Sequence, residues 1–295
     1  MEKKEELKLH SPRVMREILT RHGFSFSKSL GQNFLIDGNV IKNIVLNAGV
    51  NENTGVIEIG PGFGTLTQEL CHKAKKVVAI EIDNALKEVH EETLPYDNLK
   101  IIYDDYMNID VNKLIEDEFQ GMEVKLVANL PYYITTPIIM GILENHINVS
   151  SITVMVQKEV GRRLSASANC KDYGAITLAI EYRAECNLNM IVPKTVFMPK
   201  PKVDSAVITI DISDKPNVDV EDDVLMFKII RAAFNQRRKT ILNSLSHNLD
   251  LSKDLIKELL ADADLKENMR AEQLTIVDYA RLSNCFSSKN VELSK

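Results

Sequence analysis

The sequence predicts an α/β fold, a mostly parallel sheet covered by helices, followed by a small domain built only of helices. Three observations predict it. Short β-branched and apolar runs alternate with stretches of helical period as far as about residue 212, the pattern of parallel strands joined by crossover helices. A glycine-rich turn (Gly60, Gly62, Gly64) leaves an apolar run and opens a helix at once. After an acidic, aperiodic segment at 213–223, every periodic stretch is helical.

Taken in order, Ser11-Pro12 starts a helix over 11–22, since proline suits the first helical turn. A second helix is expected over 38–48. The segment 24–34 between them, rich in Ser, Gly, Gln and Asn, reads as an ordered loop. Strands are expected at 55–59, 76–80, 99–103, 124–128, 151–156, 188–192 and 206–212, and helices at 64–73, 84–92, 111–119, 136–146, 157–166 and 173–184. The last two strands lack a long helix between them, which suggests an antiparallel closing pair. Helices are then expected at 222–234, 237–247, 251–261 and 270–285. The domain reading is therefore 1–212 for the α/β part (with N-terminal basic helices and a loop in 1–50), 213–223 for a linker, and 224–295 for the helical part.

Composition is that of a globular protein, 44% hydrophobic and 26% charged over 295 residues. No apolar run reaches the ~18–20 residues of a membrane span, and the charged start MEKKEELKLH is unlike a secretory signal. A cytoplasmic location is expected, and nothing demands more than a monomer. Cys71, Cys170, Cys186 and Cys285 are far apart with no paired-ligand spacing. They read as buried apolar thiols rather than disulfides or a metal site, and no metal is expected.

The net charge of −6 hides an uneven distribution. From 8 to 35, Lys8, Arg13, Arg16, Arg21 and Lys28 face Glu17 alone. From 224 to 248, Lys228, Arg231, Arg237, Arg238 and Lys239 face no acid, and Lys194, Lys200 and Lys202 form a third cluster. Any one run could be a solvated face; three unopposed basic segments in an acidic chain point to nucleic acid.

The chemistry concentrates at strand ends. Gly60, Gly62 and Gly64 let the backbone turn tightly and approach a ligand beside a helix N-terminus. Glu81, ending the next strand, suits two ribose hydroxyls. A nicotinamide dehydrogenase shares this logic, but the spacing is GxGxG rather than the GxGxxG that cradles a pyrophosphate. Glu58 also precedes the turn by two residues, as in methyltransferases, so a methyl donor is favoured. Asp104 and Asp105 end the third strand, where a carboxylate either binds the donor's adenine amino group or caps a helix; both readings stand. The fourth strand delivers Asn129-Leu-Pro-Tyr-Tyr133 to the carboxyl edge where open α/β sheets place their sites. There the Asn129 side-chain oxygen and the Leu130 carbonyl can accept both N–H groups of a base amine, Pro131 fixes the backbone, and Tyr132 offers a stacking face. In Phe197-Met-Pro-Lys-Pro-Lys-Val-Asp-Ser205, two prolines stiffen an extended segment from which Phe197 could close on the other face of the base.

With these motifs assembled, the chain resembles the bacterial small-subunit ribosomal RNA adenine dimethyltransferase family, from about residue 11 to 285. The motifs are Lys28-Ser-Leu-Gly-Gln-Asn-Phe-Leu35, the glycine turn, Asn129-Leu-Pro-Tyr132, Gln157-Lys-Glu-Val-Gly-Arg-Arg-Leu164, the FMPKPKVDS segment and Arg231-Ala-Ala-Phe-Asn-Gln-Arg-Arg-Lys-Thr240. The resemblance implies a Rossmann-like class I methyltransferase sheet, S-adenosylmethionine as donor, and dimethylation of N6 on two adjacent adenines in a hairpin near the 3′ end of 16S ribosomal RNA. It implies donor contacts from Asn33, Leu35, Gly60, Gly62, Glu81, Asp105 and Asn129, choosing Asp105 over Asp104. Tyr132 and Phe197 would sandwich the base, and the stretch from Arg231 to Lys239 would touch RNA, with Lys200 and Lys202 adding charge. Gly64 stands where some relatives carry Ala.

The rival within the fold is a 23S ribosomal RNA enzyme of the macrolide-resistance type, which typically has Ser at the position of Pro61 and Ile at that of Leu130. A non-catalytic assembly or transcription factor would not need the intact donor loop, Glu81 and NLPY. A nicotinamide oxidoreductase fails on glycine spacing and on an obvious hydride-site His or Lys.

Overall fold

A computed structural model describes residues 6–27, 30–132 and 134–291. Lys28, Ser29 and Tyr133 of the motifs above lie outside the described residues. The chain divides into two compact units, Met1–Gly161 with Asn187–Ile212, and Arg162–Cys186 with Ser213–Lys295.

The first unit opens with α1 (Pro12–Arg21), β1 (Phe34–Leu35) and α2 (Gly38–Asn47), the last capped by Asp37, which accepts from the amides of Asn39 and Val40. Strands and helices then alternate: β2 (Thr54–Ile59), α3 (Thr65–Lys73), β3 (Lys76–Glu81), α4 (Lys87–Thr93), β4 (Leu99–Tyr103), α5 (Val111–Phe119), β5 (Glu123–Asn129), α6 (Thr135–Glu144), β6 (Ser151–Gln157) and α7 (Lys158–Leu164). After α8 (Ala175–Glu181) come β7 (Ala184–Val192), β8 (Phe197–Met198) and β9 (Ser205–Ile212). Seven strands form one sheet in the order β4-β3-β2-β5-β6-β9-β7. Neighbours from β4 through β6 are parallel, and β9 runs antiparallel to β6. All seven expected strands form. Their near-continuous apolar runs have the expected physical origin, since β2 and most of β3, β6 and β9 are buried on both faces.

Two details of this unit position the site. The segment 24–34, expected to be a loop, runs at Phe34 into β1, which pairs antiparallel with β8, Phe34 opposite Met198 and Leu35 opposite Phe197. The amphipathic α1 buries Met15, Ile18 and Leu19 in a cluster with Phe34, Phe63, Leu86 and Val89, which seats the N-terminal segment beside the glycine turn.

The second unit is helical: α8 joins α9 (Asp223–Phe234), α10 (Ile241–Asn248), α11 (Lys253–Asp262) and α12 (Ile276–Ser288). It takes in residues 162–186, which the sequence reading gives to the α/β part, because Tyr173, Leu178 and Tyr182 are buried in one core with Ile229, Ile230 and Tyr279. Nor is 213–223 a loose linker. Asn217 donates to the carbonyls of Glu181 and Ala184, Asn284 donates to that of Asp219, and Val218 and Val220 pack on the helical core. The helix expected over 237–247 starts later, at Ile241, since Thr240 caps it by accepting from the Asn243 amide (3.4 Å).

Among the described residues the four cysteines form no disulfide, with Cys71 buried and the other three half-buried. Among the described residues no helix is long and apolar enough to cross a membrane.

Candidate active site

The parallel order puts the carboxyl ends of β4, β3, β2 and β5 side by side, and the chain reverses its direction of travel across the sheet between β2 and β5. Such a switch point leaves a crevice that no crossover covers. A cleft of about 750 Å³, counted out to its open mouth, lies there. Its lining includes Asn33, Leu35, Gly60, Gly62, Glu81, Asn129, Leu130, Pro131 and Tyr132. Nine of the residues expected to bind donor or base are thereby brought together from four separate stretches of chain. Asp105 and Phe197 are not among its lining.

On the β2–β3 side, the Gly62 amide donates to Glu81 Oε2 (2.9 Å) and the Asp83 amide to Oε1 (2.8 Å). Each carboxylate oxygen keeps capacity for another donor. Burial raises the Glu81 pKa, the two backbone bonds working against it. Gly62 has φ +56°, and a Cβ there would meet the Phe34 ring at 2.7 Å, so only glycine lets Phe34 lie on the turn. Gly64 has φ +90° with Leu94 against it, so the Ala found in some relatives would be strained here. Glu58, 1% exposed, lines the cleft floor, and its Oε2 has no hydrogen-bond partner. Burial pushes its carboxyl up to about 8, the Glu81 charge adding to the effect.

On the β5 side, Asn129 Nδ2 donates to the Asn33 carbonyl (3.0 Å). A carbonyl only accepts, so this bond fixes the amide orientation and leaves Oδ1 as the acceptor. The Pro131 carbonyl is taken by the Ile134 amide and the Thr135 hydroxyl, both at 3.2 Å, which holds the turn after Leu130. The Tyr132 hydroxyl bonds Ser205 Oγ (2.8 Å), anchoring the ring; burial raises its pKa.

The remaining expectations divide. Asp105 Oδ1 accepts from the Met107 amide (2.9 Å) and caps a short 3₁₀ turn, while exposed Asp104 accepts locally from the Asp105 amide and from the Asn108 side chain. Phe197 is 4% exposed and packs among Leu35, Val192 and other core residues, so its ring is not presented on the cleft wall. Lys200 and Lys202 are exposed in the first unit; Arg231, Arg238 and Lys239 are exposed in the second. Arg237 is differently employed: it donates to the carbonyls of Lys171 (2.9 Å) and Tyr173 and lies over the Phe234 ring.

Sequence reasoning passed over Gln32 and Asp83, which join by a 2.6 Å hydrogen bond and tie the 30–35 segment to the end of β3. It also missed Ile82, 47% exposed on the cleft. Partners so far apart in the chain leave no local signal; Ile82 could have been found as the residue following the ribose-type carboxylate.

Comparison with known proteins agrees with this geometry. The sequence model of the family described as ribosomal RNA adenine dimethylase matches residues 23–288. The chain is 48% identical over 284 residues to ribosomal RNA small subunit methyltransferase A of Alkaliphilus oremlandii, covering 96% of this chain and 99% of that protein. It is 50% identical over 279 residues to the protein of the same name from Bacillus pumilus, covering 93% and 96%. Among solved structures, a dimethyladenosine transferase from Plasmodium falciparum superposes with a TM-score of 0.71 at 24% identity, over 88% of this chain and all of that one. The 23S rRNA methyltransferase ErmE does so with a TM-score of 0.67, also at 24% identity, over 86% and 99%. These two likenesses show the fold, a class I methyltransferase sheet followed by helices; the match across nearly the whole length to proteins about half identical shows more, and the chain belongs to the ribosomal RNA adenine dimethylase family.

Proposed function

We propose that this chain transfers methyl groups from S-adenosylmethionine to N6 of two adjacent adenines, two on each, in the hairpin near the 3′ end of 16S ribosomal RNA during small-subunit biogenesis. The family makes it a ribosomal RNA adenine dimethylase, and the near half-identical small-subunit methyltransferases speak for 16S rather than 23S RNA. The observation that carries the reading is the convergence of Glu81 and the glycine turn with Asn129, Leu130 and Tyr132 in one cleft.

The residues suit the donor. Glu58 Oε2, buried and without a partner, would meet its cationic amino group. Glu81 would take the ribose hydroxyls, Ile82 would face the adenine, and Asn33, Leu35, Gly60 and Gly62 would enclose the rest. Asp105 would turn a carboxylate oxygen beyond its capping bond to the adenine amino group. When bound, the donor supplies an electrophilic methyl group on a sulfonium.

The work left to the protein is to make a poor nucleophile better. An adenine amino lone pair is delocalised into the ring. Asn129 Oδ1 and the Leu130 carbonyl would accept its two N–H groups and favour a pyramidal nitrogen aimed at the methyl. Tyr132, its hydroxyl held by Ser205, would stack on the extruded base. No general base is required, because the proton is acidic once the methyl is on nitrogen. Phe197 would support this from below, holding β1 and so the carbonyl of Asn33 that orients Asn129. Arg231, Arg238, Lys239, Lys200 and Lys202 would meet RNA phosphates. Such a substrate implies a cytoplasmic protein, and a monomer suffices.

The test is incubation with unmethylated small subunits and labelled donor, followed by mapping of the modified nucleotides. Label is expected on two adjacent adenines of the 3′ hairpin; label on large-subunit RNA instead would establish the resistance-type activity.

A further inference from the structure

Beside the cleft lies a buried histidine that neither the motifs nor the mechanism uses. His90, in α4, is 2% exposed. Its Nε2 sits 2.6 Å from the Gly62 carbonyl, and its Nδ1 sits 2.8 Å from the Tyr103 hydroxyl. Because a carbonyl only accepts, Nε2 carries the proton; in the neutral ring Nδ1 then accepts from Tyr103. Burial lowers the pKa of His90, which keeps the ring neutral. The Tyr103 ring lies nearly parallel to the imidazole, with centroids 5.9 Å apart.

The bonds form a chain from Glu81 through Gly62 and His90 to Tyr103. Gly62 donates its amide to Glu81 and receives His90 at its carbonyl, so both polar groups of this residue are held by side chains from two elements. Tyr103 ends β4 in backbone register with Glu81 at the end of β3, so both ends of this chain of bonds stand on neighbouring strand ends. Gly62 stands at φ +56°, a conformation with many alternatives open to glycine, and its own chemistry selects none of them.

We propose that His90 is a positioning residue for the donor: by donating from Nε2 it sets the Gly62 carbonyl and so the amide that faces Glu81, with Tyr103 fixing the tautomer that can do so. This rests on the reading that the glycine turn and Glu81 hold the donor. An ordinary core histidine would contribute to stability and nothing to donor affinity, and that difference is measurable.

The experiment is calorimetric titration of the full chain with S-adenosylhomocysteine, beside steady-state kinetics on unmethylated small subunits. His90→Leu fills the space without a donor, and is expected to raise the dissociation constant and the KM for the methyl donor by roughly tenfold, as loss of one buried hydrogen bond implies, with kcat within about twofold. His90→Gln, whose amide nitrogen reaches the position of Nε2, is expected to restore affinity to within about threefold of the parent. Unchanged affinity in His90→Leu, or equal losses in both variants, overturns the proposal. Glu81→Ala separates the two layers: if it weakens donor binding while His90→Leu does not, His90 alone is misassigned, and if it has no effect the donor-site reading falls and takes this one with it. Should the leucine variant fail to fold, the imidazole ¹⁵N shifts of His90 in the unmodified protein decide. A proton on Nε2 is expected, and a proton on Nδ1 overturns the proposal.

Discussion

Asn129 shows how one hydrogen bond assigns a chemical role. Its amide carries an acceptor and a donor, and the Asn33 carbonyl accepts only, so the nitrogen is used and the oxygen is left as an acceptor, which the proposed function gives to the base. Replacing Asn129 with Ala removes that acceptor. The expected outcome is a fall in kcat of roughly 10²–10³-fold with RNA affinity retained, in single-turnover assays beside filter binding; unchanged turnover would refute the role. Glu58 is the other residue whose surroundings dictate its behaviour. In the folded chain burial keeps its carboxyl protonated up to about pH 8, whereas an unfolded chain releases that proton near ~4.3. Between those values the folded state binds the extra proton. Stability from this group is therefore lost as pH rises through the window and levels off above it. Glu58→Gln stays neutral and removes the slope. Without donor, its melting temperature relative to the parent is expected to rise between pH 5 and pH 8, and a constant difference would mean that the parent carboxyl is already ionised.

Among the elements, β1 and β8 are the least conspicuous in the sequence and among the most consequential. Two residues each, they fasten the 30–35 segment beside the cleft through backbone bonds, a pairing between stretches more than 160 positions apart. Phe197, itself one of the paired residues, is buried in the core with Leu35, so in this structure its ring packs inward. The turn between α9 and α10 is a second case. Its arginines look alike in the sequence and both are exposed, yet it is Arg237 whose guanidinium ties down the carbonyls of Lys171 and Tyr173. Arg237→Ala is expected to lower the melting temperature by several degrees, because the Lys171 and Tyr173 carbonyls lose a charged donor. Arg238→Ala is expected to leave it unchanged in the same differential scanning measurement.

For the whole molecule, net charge is a poor guide to what it binds. The acids that make the chain −6 overall are segregated from the runs around Arg231–Lys239 and Lys200–Lys202. RNA affinity should therefore fall steeply with salt in spite of the acidic total. Replacing Arg238 and Lys239 together is expected to reduce the slope of log K against log[salt] by about 1–2, each phosphate contact being worth ~0.7–0.9. A slope identical to the parent's would mean that neither touches phosphate. The half of the cleft proposed to hold the donor is expected to be far less salt-sensitive, since Glu58 and Glu81 are buried and the glycine turn carries no charge.

Much of this was legible in the chain itself. All seven strands of the sheet, the glycine turn, Glu81 and the Asn129-Leu-Pro-Tyr132 motif could be read because each is local: period, glycine spacing and a polar residue at a strand end are properties of a few consecutive residues. Even the convergence of β2, β3 and β5 follows, since parallel strands must present their carboxyl ends on one edge. What tertiary structure alone decided is whatever depends on partners distant in sequence. Residues 162–186 join the helical unit because Tyr173, Leu178 and Tyr182 find their core there. The amide of Asn129 is oriented by a carbonyl 96 residues away, Phe197 pairs with Leu35 and is buried in one core with it, and His90 meets Gly62 across 28 positions. Local propensity sets which segments become strands and helices; which side chain meets which backbone group is set by packing, and no window along the chain contains both.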